Sequence, residues 1–193
     1  MKSNKWIIPV LACCALMAWS ATAEAGTMSI GVSQWSQDTG VGQGGEFKVT
    51  AFSGGYLAPS YSTDNALFHT FCLEKNEFLS GITNYKVNTE AINGGVGGGN
   101  PDPLSNETAY LFYTWWTGGL NYDYADNVDR AVDAEDLQLA IWFLEDEISF
   151  TKLQQNDNGK AEKFVDFAQT VTWSDLGAGS LTGLSGALDH ILE

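Results

Sequence analysis

Hydrophobic periodicity switches once along this chain, and that switch constrains the fold more than any other feature of the sequence. From Thr27 to Ser36 apolar and polar residues alternate, with Met28, Ile30 and Val32 on one face, the period of a half-buried strand. Asp38-Thr39-Gly40 through Gly45 is turn chemistry, and Glu46 to Phe52 alternates again with Phe47, Val49 and Ala51 inward. The two segments predict neighbouring antiparallel strands. Leu67 to Leu73 is a dense apolar run that reads as a central strand, and Tyr85-Lys86-Val87 as another short one. After the glycine- and asparagine-rich loop at 93–100 the period becomes helical. Ser105 predicts an N-cap, Ala109 to Trp116 the helix body and Gly118-Gly119 its end. Asp133 predicts the cap of a second helix with a stripe of Leu137, Ala140, Ile141, Leu144 and Ile148. A third follows Asn158-Gly159, burying Ala161, Phe164, Phe167, Ala168 and Val171, and Ala187 to Leu192 predicts a closing strand. Strands first and helices later, without βαβ alternation, predict an α+β domain. Its expected form is an antiparallel β-sandwich or partly open barrel packed with about three helices from the second half.

The first 25 residues predict a secretory signal peptide. Lys2 and Lys5 precede an apolar run from Trp6 to Trp19, and small residues around Ala23 and Ala25 supply a cleavage site. The run is too short for a permanent membrane span. A lipoprotein reading, with Cys13 after Val10-Leu11-Ala12, is the alternative, with Leu11 awkward in that motif. Cleavage after Ala25 leaves 26–193 as a single exported domain. It also removes Lys2, Lys5 and Glu24, leaving 7 basic and 23 acidic residues and a net charge of −16. Such a surface repels nucleic acid and anionic lipid. No Gly-Lys-Ser/Thr ending follows the glycine-rich loop, which argues against a nucleotide cradle.

Cys13 and Cys14 leave with the signal, so Cys72 is the one cysteine of the expected mature chain. A single thiol in an oxidising compartment calls for a reason: a partner chain, a reactive role or deep burial. One reactive role is condensation with a glutamine carboxamide to give a thioester, a latent electrophile. That requires the thiol to reach the amide carbon, ammonia to leave and water to be kept out. Phe71 and Leu73 flank the thiol, and Gln138 stands on the border of a helix stripe with Ile141 and Trp142 one turn on. Strand alternation would put Thr70, Cys72 and Glu74 on one face, toward a packing helix.

Phe71-Cys72-Leu73-Glu74 followed by Gln138-Leu139-Ala140-Ile141-Trp142 resembles the thioester domains of bacterial surface adhesins. The resemblance implies a Cys72–Gln138 thioester that captures amine nucleophiles of an extracellular matrix or surface ligand, without turnover catalysis, cofactor or metal. Phe71, Leu73, Glu74, Ile141 and Trp142 would support it. Leu137 stands where that family usually has threonine. Over most of the mature length the chain is also similar to exported PEP-CTERM-class proteins of Gram-negative bacteria. That similarity lies in Thr70 to Glu74, Asp102-Pro103-Leu104-Ser105 with Thr108-Ala109-Tyr110-Leu111, and Leu137-Gln138 through Ile141-Trp142-Phe143-Leu144-Glu145. The Val-Pro-Glu-Pro-like segment, apolar span and basic residues that end such proteins are not found before Glu193.

Other readings stand beside the thioester. Cys72 between Phe71 and Leu73 is also what a buried structural cysteine looks like, in a noncatalytic matrix- or carbohydrate-binding protein. A cysteine hydrolase would need a histidine at the thiol, and only His69 and His190 exist, with His69 an odd number of strand positions from Cys72. Asp123, Asp126, Asp129, Asp133, Glu135 and Asp136 offer oxygen ligands for calcium. They read more simply as a solvated acidic face. Trp115 and Trp116 could form a sugar-stacking platform, but adjacent helical positions diverge by about 100°, so at least one should be core, and core is preferred for both.

Overall fold

The computed structural model describes residues 25–52, 68–76, 81–86, 90–91, 102–125 and 128–170. Residues 1–24 of the expected signal peptide, the 93–100 loop, Asp126, Val171, His190 and the strand expected over 187–192 lie outside the described residues. The order of elements is α+β: β1 (Ala25–Asp38), β2 (Gln43–Phe52), β3 (Phe68–Thr70), β4 (Gly81–Lys86), β5 (Glu90–Ala91) and β6 (Asp102–Pro103) precede α1 (Asn106–Trp116), α2 (Val128–Leu144), α3 (Phe150–Asn156) and α4 (Ala161–Gln169). The first four strands form one antiparallel sheet in the order β3-β2-β1-β4, and β5 pairs with β6. The described strands do not close into a barrel.

β1 and β2 are the antiparallel neighbours that their alternation predicts, with Ile30 opposite Val49 and Val32 opposite Phe47. Between Val32 and Ser36 the register slips, so Ser33 to Trp35 face Glu46 alone. A bulge of this kind changes which residues point inward. Ile30 is buried before it, Ser33 and Trp35 after it. Hydroxyls stitch the irregular turn: Ser33 Oγ donates to the Glu46 carbonyl at 2.5 Å and Ser36 Oγ donates to the same oxygen at 3.1 Å.

The run around Cys72 is not the central strand expected of it. β3 is three residues long and, among the described strands, pairs with β2 and stands at one end of the order. The chain leaves the strand at Phe71, so the alternation argument placing Thr70, Cys72 and Glu74 on one face fails, as does its corollary for His69.

α1 begins and ends where its signals are. Ser105 Oγ accepts from the Thr108 N–H at 3.1 Å, and Gly118 follows with φ 74°. α2 begins at Val128, five residues before Asp133, which is therefore a buried mid-helix residue and not a cap. Its end at Leu144 closes as a Schellman turn: Asp146 takes φ 60°, Glu147 N–H donates to the Trp142 carbonyl at 2.8 Å, and Asp146 N–H donates to Phe143 at 3.2 Å. Ile148 lies past that turn. α3 is an additional helix of seven residues, too short for its period to stand out.

α2 packs against β1, β2 and α4, and the core sits between sheet and helices. Leu137, Leu139, Ala140, Ile141 and Trp142 of α2 join Leu111, Phe112 and Trp115 of α1, Leu153 of α3 and Phe164, Val165 and Ala168 of α4. Trp115 is buried, and Trp116 is half-buried between Phe68 and Phe112. Trp115 is core, as assigned, whereas Trp116 packs against the core from its margin.

Candidate functional site

α2 is buried on nearly every side, and the column that faces β2 is Arg130, Ala134, Gln138 and Trp142. Four helical residues advance about 6 Å, close to the roughly 6.7 Å of two strand residues. That match holds for Trp142 and Gln138 against Gly42 and Gly44, whereas Arg130, eight residues before Gln138, reaches Glu46 with its long side chain. The Trp142 ring lies over Gly42 and Gly44, and Gln138 lies over Gly44. A Cβ on Gly44 would overlap Gln138 Cγ and come within 3.0 Å of the Trp142 ring. Glycine is required there by close approach of the helix.

Over that glycine the Gln138 carboxamide turns to the chain just beyond β3. Its Oε1 accepts from the Cys72 N–H at 3.0 Å, and its Nε2 donates to the Cys72 carbonyl at 2.6 Å. The two residues are 66 positions apart in sequence. Gln138 is fully buried, whereas Cys72, a thiol, is partly exposed. Its Sγ–H donates to the Glu74 carbonyl at 2.9 Å. The carboxamide is thus closed off from solvent, while Cys72 as a residue keeps partial exposure.

The predicted supporting residues divide. Trp142 touches the glycine floor of the site. Glu74 contributes its backbone carbonyl and is buried. Phe71 points into the core, edge-to-face on Trp115 at 4.9 Å, while Leu73 packs partly buried against the same cluster and Ile141 is inside it. Sequence reasoning missed Gly44 and Glu147. The latter is buried, and its Oε2 accepts from the Lys75 N–H at 3.1 Å. The spacing of Gly42 and Gly44 against Trp142 and Gln138 is the signal that could have found the first.

Next to the site lies a buried charge cluster that sequence reasoning also missed. Glu46 accepts from Arg130 Nε at 2.9 Å and Nη2 at 2.7 Å, a bidentate pair, and from the Tyr122 hydroxyl. The Arg130 guanidinium stacks 3.7 Å from the Trp35 ring centroid and donates to the Tyr124 carbonyl. His69 turns Nδ1 toward Glu46 at 3.8 Å and sets its ring edge-on to Trp35. Burial, then the Glu46 carboxylate, pushes the Tyr122 hydroxyl well above its ordinary range. Burial disfavours the Arg130 cation, but the hydrogen bonds and charge of Glu46 outweigh it and raise its pKa.

Two members of the supposed solvated acidic face are buried anchors. Asp133 accepts from Lys160 Nζ and from the Asp123 N–H, each at 2.6 Å. Asp136 accepts from the Asn158 and Lys160 N–H groups at 2.9 Å each. Burial raises the Asp136 pKa, opposed by those hydrogen bonds. Among the described residues no group of three His, Cys, Asp or Glu side chains could hold a metal ion. No described helix is long and apolar enough to cross a membrane. Comparison of the chain with protein-family models, curated proteins and solved structures finds no match.

Proposed function

We propose that this is an exported surface or matrix protein whose Cys72 and Gln138 condense to an internal thioester, which then captures an amine-bearing ligand covalently. The observation that carries the reading is the two-point contact of the Gln138 carboxamide with the backbone of Cys72. In the condensation Cys72 Sγ attacks Gln138 Cδ, the C–N bond breaks, and the amide nitrogen leaves as ammonia with the thiol proton. The Cys72 N–H already donates to Oε1, where negative charge gathers as the tetrahedral adduct forms. The sealed position of the carboxamide would protect the acyl group from water. A primary amine that attacks the same carbon forms a lasting amide and restores the Cys72 thiol. The bond joins residues 66 positions apart. By analogy with a disulfide of that span, it constrains the unfolded chain by ~4 kcal/mol.

The same contact favours a second reading, in which the carboxamide is a structural pin that satisfies the backbone where β3 ends. Cys72 would then be a structural cysteine in a noncatalytic matrix- or carbohydrate-binding protein. With Trp115 buried edge-to-face on Phe71, the paired-indole platform is not the binding surface such a protein would use. Incubation with a labelled primary amine separates the two. The thioester reading expects one label on Gln138 and one newly titratable thiol per molecule. A structural pin expects neither.

A further inference from the structure

We infer that Glu147 is a positioning residue for Cys72, the second arm of a clamp by which α2 holds the thiol segment. The inference deepens the thioester reading, but its geometry stands apart from the condensation. One arm is Gln138, gripping the Cys72 backbone from the body of the helix. The other leaves the helix at its C-terminal turn. There the αL residue Asp146 reverses the chain so that the buried Glu147 carboxylate accepts the Lys75 N–H at 3.1 Å. The two grips fall three residues apart on a segment that has left the sheet, and the Glu74 carbonyl accepting the Sγ–H lies between them. Residues 71–75 are not β-strand, so side chains that bond their backbone help to set their course. Glu147 therefore governs where the sulfur sits relative to Gln138 Cδ and how far it opens to solvent. A positioning error of about 1 Å costs a reaction of this kind about a hundredfold.

The test measures alkylation of Cys72 by iodoacetamide after methylamine treatment, which leaves a thiol whether or not a thioester was present. Glu147→Ala is expected to alkylate about tenfold faster than wild type, the factor expected for loss of one hydrogen bond to a charged acceptor. Glu147→Gln keeps an acceptor oxygen and is expected to restore the wild-type rate. Hydrogen exchange of the Lys75 amide reads the contact directly in the unmodified chain, where protection is expected. Equal alkylation rates in all three proteins, or an unprotected Lys75 amide in wild type, would overturn the assignment. If Glu147→Ala does not fold, the wild-type exchange and the Gln variant decide. Failure of the thioester reading appears separately, as wild type that retains its ammonia while the clamp results hold.

Discussion

Gly44 and Gln138 compete for one volume, since any side chain on the strand would have to occupy the space that the glutamine crosses to reach Cys72. Gly44→Ala is expected to displace the carboxamide and to cost about 1–3 kcal/mol through overpacking. Urea unfolding checks the stability, and amine labelling checks the site, where the yield falls with it. Arg130 raises a different problem. Its guanidinium neutralises a carboxylate taken wholly out of water, so Arg130→Ala leaves Glu46 buried with Tyr122 and His69 beside it but without its bidentate cation. The expected loss is about 3–5 kcal/mol. Replacing Glu46 and Arg130 together by apolar residues is expected to recover part of it in the same unfolding measurement. Neither residue drew attention in the sequence. Glu46 stands at the start of an alternating run, and Arg130 precedes the residue that resembles a helix cap.

Among the elements, α1 shows how a local signal carries through and α2 how one misleads. Ser105 caps α1 as its type and position predict, but it also donates to Glu145 Oε1 at 2.5 Å, tying the cap to the end of α2. Ser105→Ala is expected to cost about 1 kcal/mol for the cap alone, read as a drop in melting temperature. Burial raises the Glu145 pKa above the ordinary value of 4.5, against the lowering effect of the Ser105 and Thr108 hydroxyls. A carboxyl of this kind binds its proton more tightly in the folded chain than in the unfolded one. Its stabilising contribution is complete below the unfolded pKa and is lost as pH rises through the folded one. Glu145→Gln is expected to flatten the pH dependence of stability in the window just above 4.5, as measured by denaturation at a series of pH values. Asp133 failed as a cap signal because capping chemistry and buried anchoring use the same carboxylate, and the contacts with Lys160 and Asp123, distant in sequence, tell them apart.

For the molecule as a whole, the α+β class, the pairing of β1 with β2 and the second-half helices were legible in the sequence because each rests on a period. The slip between Val32 and Ser36, the three-residue length of β3 and the early start of α2 were not, since they follow from packing between segments distant in sequence. Cys72 and Gln138 were named from residue type and resemblance. Their contact required the column of α2 to run in step with the glycines of β2, a coincidence of two spacings that neither segment reveals alone. The most direct test of the proposed chemistry is the intact mass of a protein comprising residues 26–193. The account predicts a protein one ammonia lighter than its sequence, with Cys72→Ala and Gln138→Ala at full sequence mass. A wild-type domain at full sequence mass would contradict it.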